Sequence, residues 1–221
     1  MDPKNVGNSM KRFLKRSGIS TIFVLIVAAM AVSPVLTGCG GGGGTPTRTT
    51  TQPPLSTTTT SDPLAFPAGK YVKNELYNGL FRLAYTVGDD SIIAIGIKAK
   101  TVGWVAIAIG NPHGTSDVII GYIENGQVTL LDTHDARESG GHPLDSAFGG
   151  TSDLFAISGS EANGITTIEF KRKLNTLDQF DLPLIVGTNT LTWAFGVNDS
   201  LAQEHSLVGL AVITVPESTH P

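Results

Sequence analysis

From residue 70 onward, hydrophobic and polar residues follow the short period of β-strands, and a helical period is scarce. Turn-forming residues, chiefly Gly, Asn and Asp, separate the apolar runs. About ten short strands at this regular spacing predict an all-β protein built as an antiparallel sandwich or barrel. The clearest predicted strands are residues 80–87, 92–97, 103–109, 118–124, 127–131, 165–170, 191–195 and 207–215.

Two Asn-Gly pairs predict tight hairpins. Asn125-Gly126 lies between two apolar runs, and Asn163-Gly164 precedes the run at 165–170. Both central positions of such a turn need positive φ, which Asn and Gly adopt most readily. We therefore expect antiparallel neighbours on the two sides of each pair.

The N-terminal segment has the parts of a secretory signal, namely a basic start, an apolar middle and small residues before a cleavage point. The apolar run covers residues 22–32 and precedes Leu36-Thr37-Gly38-Cys39, which resembles a lipobox. The alternative is an uncleaved membrane helix over residues 19–36, although Pro34 and the glycines after Cys39 disfavour a continuing helix. We expect residues 1–38 to be a lipoprotein signal peptide. A lipid on Cys39 would then anchor the chain to the membrane, outside the cytoplasm. The basic start comprises Lys4, Lys11, Arg12, Lys15 and Arg16.

Composition divides the rest of the chain into a linker, a domain and a tail. Residues 39–64 begin with the lipid-attachment cysteine and are rich in Gly, Thr and Pro. Such a segment has too little apolar surface to offset its ordering entropy, so we expect a disordered linker. The domain is predicted over residues 65–216, and a tail over 217–221.

Net charge limits which partners the chain is expected to bind, and cysteine content limits how the domain can be stabilised. The chain has a net charge of −4, and its first 38 residues hold five basic residues and one acidic residue. The remainder therefore carries −8, which does not attract phosphate backbones, so nucleic acid is not an expected partner. Cys39 is the one cysteine. A secreted domain without disulfides must depend on a large apolar core.

Several motifs follow one another along the predicted strands. They are Gly103-Trp104 within 103–110, Ser116-Asp117 within 116–122, the segments 125–128, 131–132 and 141–145, Gly159, Glu161, the segment 168–176, Trp193-Ala194-Phe195-Gly196, Asp199 and His205. In this combination they resemble the DOMON domain family over most of residues 70–215. The resemblance implies an immunoglobulin-like antiparallel β-sandwich. It also implies a domain that binds b-type haem in extracytoplasmic electron transfer, or one that binds sugars and other ligands.

The resemblance also implies a pair of iron ligands. In haem-binding members, a methionine after the Gly-Trp strand and a histidine near the last strand hold the iron. The three methionines of this chain all lie within residues 1–38. His113 stands where the family methionine falls, and His205 stands where the family histidine falls. The implied cofactor is haem b with His113 and His205 as axial ligands, and His142 is a reserve candidate.

Two groups of polar residues have competing interpretations. His134 and His142 flank a loop rich in Asp and Gly, where imidazoles beside carboxylates suit a divalent ion or support for an axial histidine. For the aspartates we favour the alternative that they bond to nearby backbone N–H groups. The basic run 171–173 suits a haem propionate or an acidic partner, but we expect it to alternate out to solvent. Trp104 and Trp193 are expected to anchor the core.

These observations predict a membrane-anchored b-type cytochrome domain that exchanges electrons with a partner protein. The alternative is a haem-free domain that binds sugar or another small ligand at the cell surface. The sequence contains no Cys-x-x-Cys-His, no GxSxG elbow and no phosphate loop, so an electron carrier or binding module is expected rather than an enzyme.

Overall fold

The computed structural model describes residues 62–111, 114–136 and 141–217, all within the compact unit formed by residues 56–221. Ten β-strands and one short 3₁₀ helix, Asp145–Phe148, make up these segments, which confirms the all-β prediction. The described residues include no helix long and apolar enough to cross a membrane. The strands are β1 (Lys73–Tyr77), β2 (Phe81–Val87), β3 (Ile92–Ala99), β4 (Val105–Asn111), β5 (Thr115–Glu124), β6 (Gln127–His134), β7 (Phe155–Ala162), β8 (Ile165–Lys173), β9 (Gly187–Phe195) and β10 (Leu207–Val215).

The strands form two five-stranded sheets whose neighbouring strands are all antiparallel. The first sheet has the order β1-β2-β3-β8-β7, and the second has the order β10-β9-β4-β5-β6. Buried side chains from both sheets form one core between them. This arrangement is the immunoglobulin-like antiparallel sandwich that the sequence predicts.

Both Asn-Gly pairs are hairpin turns. Asn125 and Gly126 have φ of 52° and 76° and join β5 to β6. Asn163 and Gly164 have φ of 54° and 72° and join β7 to β8. The left-handed backbone at all four positions explains why Asn and Gly occur there.

The core follows from alternation along the strands. In β4, Val105, Ile107 and Ile109 face the core, and the alanines between them face outward. Trp193 of β9 is fully buried and stacks on Phe81 of β2, with ring centroids 4.7 Å apart. This contact joins the two sheets, and it confirms that Trp193 is a core anchor.

Residues 62–71 lie across the outer face of the first sheet. Phe66 and Tyr71 pack over Gly96 of β3, where an added Cβ would lie 2.7–2.8 Å from their rings. The Tyr71 hydroxyl donates to Glu169 of β8 at 2.6 Å. Residues 62–71 therefore cover one outer face of the sandwich through apolar contacts and hydrogen bonds.

Candidate functional site

One end of the sandwich holds an arginine surrounded by carboxylates. Arg172, on β8 of the first sheet, is fully buried. Asp117 of β5 and Asp132 of β6 face it from the second sheet, and Asp181 comes from the loop after β8. Each of these three aspartates has less than a tenth of its surface exposed. We call Asp117, Asp132 and Asp181 the acidic cluster.

Hydrogen bonds satisfy one oxygen of each carboxylate in the acidic cluster. Arg172 donates from Nη1 to Asp117 Oδ2 at 2.6 Å and from Nη2 to Asp181 Oδ2 at 3.3 Å. The Asp153 N–H donates to Asp132 Oδ2 at 2.7 Å. The other three oxygens are buried and accept no hydrogen bond from the described residues: Asp117 Oδ1, Asp132 Oδ1 and Asp181 Oδ1.

Burial sets the protonation behaviour of the cluster. It raises the pKa of Asp132 to about 7, although the Asp153 N–H acts to lower that pKa. It raises the pKa of Asp117 to about 6 against the opposing effect of the Arg172 guanidinium. Burial also raises the pKa of Asp181. The carboxylates are therefore costly to ionise together unless positive charge beyond that of Arg172 reaches them.

A second polar unit lies next to the cluster. His134, the last residue of β6, contacts Asp145 through Nδ1 and Oδ1 at 2.6 Å. Its ring stacks on Phe180 with centroids 4.2 Å apart and meets Phe148 edge-on at 5.6 Å. Phe148 is 61% exposed, so this aromatic unit reaches the surface. Asp145 fixes the orientation of the imidazole, as carboxylates do for functional histidines.

The outer face of the second sheet is apolar. Ala106 of β4 pairs with Ile120 of β5 and Ala194 of β9, and Ala108 pairs with Val118. Trp104 and Tyr122 pack against these residues. The β10 side chains on this side are exposed, with Leu210 at 65%, whereas Trp104, Ala106, Val118 and Ile120 are buried. We call this surface the outer apolar face. Its members are Trp104, Ala106, Ala108, Val118, Ile120, Tyr122, Ala194, Val208, Leu210 and Val212.

Two of the three predicted histidine ligands belong to the part of the chain that the structure describes. His205 is exposed and lies just before β10. His142 is also exposed, and its Nδ1 lies 3.1 Å from Asp135 Oδ1. His113 and Cys39 lie outside the described residues. The pairing of His113 with His205 on one iron therefore stays a prediction.

The strand register sets a condition on that pairing. Phe195 pairs with both Val105, the first residue of β4, and Leu207, the first residue of β10. His205 comes two residues before Leu207 and is therefore near the end of the sheet where β4 begins. The residues on either side of the β4–β5 connection, Asn111 and Thr115, pair with each other at the far end of β4. Six residues of extended strand separate the two levels, about 20 Å. A shared iron requires the connecting segments to cross this distance.

His142 is nearer to the Asn111 end of the second sheet. It contacts Asp135, whose N–H donates to the Ser116 carbonyl at 3.0 Å. Ser116 in turn pairs with Gly110 of β4. The reserve candidate therefore lies at the end of the sheet where the β4–β5 connection begins and ends.

Sequence reasoning missed the most deeply buried charges. The expectation that the basic run 171–173 points out to solvent is wrong for Arg172, because only its two neighbours are exposed. The signal was available: Ile168, Phe170 and Arg172 alternate on one side of β8, and all three are buried. Asp132 does accept a backbone N–H, but from Asp153, which lies 21 residues along the chain, and Asp145 pairs with the side chain of His134.

The chain is similar to two animal proteins along part of their length. It is 27% identical over 139 residues to MOXD1 homolog 1 of Drosophila melanogaster, which covers 59% of this chain and 20% of that protein. It is 26% identical over 133 residues to the human Putative DBH-like monooxygenase protein 2, which covers 59% of this chain and 26% of that protein. The chain thus spans only a fifth to a quarter of these relatives.

Two solved structures are similar at low identity. One is the cytochrome b domain of pyranose dehydrogenase from Coprinopsis cinerea, with 13% identity, a TM-score of 0.42 and coverage of 60% of this chain and 81% of that chain. The other is the cytochrome domain of Myriococcum thermophilum cellobiose dehydrogenase, with 17% identity, a TM-score of 0.45 and coverage of 61% and 74%.

The family assignment depends on a match over a long continuous segment. The family model of the DOMON domain matches residues 77–196, which is more than half of the chain. The matched segment begins at the end of β1 and continues one residue past β9, so it includes most of both sheets. This chain belongs to the DOMON domain family.

Proposed function

We propose that this protein is a DOMON module that carries haem b for electron transfer outside the cytoplasm, and that it has no catalytic site of its own. Membership of the DOMON family and the secretory N-terminal sequence support this proposal. Haem supplies one-electron chemistry at its iron when it is bound. The protein would contribute an apolar surface, axial imidazoles and a route to a redox partner.

The observation that carries the proposal is the outer apolar face of the second sheet. Ala106, Ala108 and Ala194 have small side chains, which would let a planar ligand lie close to the sheet. Ala106, Val118 and Ile120 are each less than a tenth exposed, so such a ligand would take the place of the contacts that bury them. Trp104 and Tyr122 pack against these residues, and Leu210 is exposed beside them. Apolar side chains at such a surface exclude water and bind the faces of a planar ligand through contact area.

Two candidate axial histidines lie toward opposite ends of the second sheet. Neutral histidine is a common axial ligand of haem iron. His205 is exposed at the end where β10 begins, and His142 lies toward the other end. His113 belongs to the connection between β4 and β5. The strand register puts His142 at the end of the second sheet where the β4–β5 connection begins and ends, which favours His113 and His142 as the pair of ligands. The family resemblance favours His113 and His205.

Visible spectroscopy of the full chain, reconstituted with haem b, tests the proposal. We expect a Soret shift and two sharp bands on reduction, as two imidazoles give a low-spin iron. His113→Ala should abolish or broaden these bands. Between His205→Ala and His142→Ala, the variant that has the same effect identifies the second ligand, and His220→Ala in the predicted tail is the control. A protein that stays colourless after reconstitution would contradict haem binding.

A haem-free binding module is the second candidate, and the aromatic unit at His134 favours it. Exposed rings that flank a polar group are typical of sites that bind sugars, because the apolar face of the sugar packs on the ring. Phe148 has that exposure, and His134 supplies the polar group. Under this candidate, a colourless protein binds soluble oligosaccharides, Phe148→Ala weakens binding, and His113→Ala and His205→Ala do not.

The membrane anchor is proposed from the sequence around Cys39. A lipid on that cysteine would hold the domain at the membrane surface through the linker. We expect Cys39→Ser to move the protein from the membrane fraction to the soluble fraction of cells that express the full chain. Thr37→Ser, which keeps a small residue at that position, is the control. Retention of Cys39→Ser in the membrane would indicate the uncleaved helix instead.

A further inference from the structure

The acidic cluster has three buried oxygens that point to a ligand. One carboxylate oxygen from each of Asp117, Asp132 and Asp181 lies within 4.8 Å of the other two. Each residue also has one buried oxygen, Oδ1, that accepts no hydrogen bond from the described residues. A buried carboxylate oxygen without a donor or cation is energetically costly, so three in one place indicate a missing positive partner.

Charge balance indicates how much positive charge the cluster needs. When all three carboxylates are ionised, the single guanidinium of Arg172 leaves two of their negative charges uncompensated. Arg172 bonds to Oδ2 of both Asp117 and Asp181, so their Oδ1 atoms remain available to another partner. One divalent cation would neutralise the group.

We infer that Asp117, Asp132 and Asp181 bind one divalent cation and that the cation is Ca²⁺. Oxygen donors without nitrogen or sulfur suit a hard cation rather than a transition metal. Ca²⁺ takes six to eight oxygen ligands and is commonly held by several protein carboxylates, whereas Mg²⁺ keeps most of its waters and usually binds only one or two carboxylates. Three carboxylates of one chain therefore favour Ca²⁺. This inference does not depend on haem.

The cation would fasten one end of the sandwich. Its ligands come from two neighbouring strands of the second sheet and from the loop after β8, and Arg172 links two of them to the first sheet. The Leu182 N–H donates to Asp117 Oδ2 at 3.1 Å, which brings the same loop against β5. Loss of the ion would therefore loosen a contact between the sheets and not a surface loop alone.

Thermal unfolding and calorimetry of the full chain test the site. After EDTA treatment and dialysis, CaCl₂ at ten times the dissociation constant should raise Tm by about 3–6 °C, and NaCl of equal ionic strength should not. Titration calorimetry should give one Ca²⁺ per chain and weaker Mg²⁺ binding. The visible spectrum of the same sample reports haem separately, so the two proposals can fail independently.

Variants distinguish a cation site from a cluster that is neutralised by protons. Asp132→Asn keeps an acceptor for the Asp153 N–H but should abolish the Ca²⁺-dependent rise in Tm. Asp90→Asn is the matched control, since exposed Asp90 also accepts a backbone N–H, from Ile92. If Asp132→Asn does not fold, Asp181→Asn serves instead. An unchanged Tm of the wild-type protein in CaCl₂, or a rise that persists in a folded cluster variant, would overturn the inference.

Discussion

Arg172 is held in the interior by carboxylates from the opposite sheet and from a loop. Its side chain is fully buried, and that of Asp117 is too. Burying a charged side chain costs desolvation free energy, and in this pair the attraction between the guanidinium and the carboxylate offsets that cost. If one partner is removed, the other remains a buried charge without compensation. Removing one partner therefore measures the cost of an unpaired buried charge, and only the comparison with removal of both partners measures the contribution of the pair.

Arg172→Met should destabilise the domain by about 3–5 kcal/mol, because it leaves the buried Asp117 carboxylate without its cation. Urea denaturation measures the loss as a shift in midpoint. Lys171→Met, at the exposed neighbouring position on β8, is the matched control and should stay within about 0.5 kcal/mol of the wild type. Adding Asp117→Leu to Arg172→Met should restore part of the stability. Equal effects of the two single substitutions would show that Arg172 has no special role.

At the scale of elements, the strands that could be predicted are those with a clear alternation or a diagnostic turn. β10 is found at the predicted residues 207–215, and β5 and β6 flank the predicted Asn125-Gly126 turn. β1 was missed because its five residues are largely exposed and polar, so no hydrophobic period marks an edge strand of this kind. Local patterns thus identify strands that contribute to the core.

Contacts between distant elements could not be predicted from spacing. Asp181 lies in a loop nine residues after Arg172, and its place in the acidic cluster depends on how that loop folds back. The distance between the start of β10 and the far end of β4 depends on the pairing of β9 with both strands. The sequence predicts which histidines are candidates, but only the register indicates which of them share one end of a sheet.

At the scale of the molecule, the sandwich combines an apolar core with one charged end. The two outer faces also differ, since residues 62–71 cover the first sheet and the outer apolar face belongs to the second. The proposed haem surface and the inferred cation site therefore occupy separate regions, one on a face and one between the sheets. Each can be altered without substitutions in the other.

The charged end should make the stability of the whole domain depend on pH when cations are removed. Burial raises the pKa of Asp132 from an ordinary 3.8 to about 7, and Asp117, Asp181 and Arg172 are the charged groups that face it. Between those two values the folded protein binds more protons than the unfolded chain, so stability falls as pH rises from about 4 to 7. The slope from this one group reaches at most about 1.4 kcal/mol per pH unit.

Urea denaturation in EDTA at pH 5, 6, 7 and 8 measures this dependence. We expect the free energy of unfolding to decrease along the series in the wild-type protein, and the decrease to be smaller in Asp132→Asn, because the amide carries no proton that can be lost. Asp90→Asn, at an exposed turn, should keep the wild-type slope. Saturating CaCl₂ should oppose the decrease, because the cation binds the ionised carboxylates that the metal-free interior disfavours. A wild-type slope in Asp132→Asn would show that the pH dependence arises outside the acidic cluster.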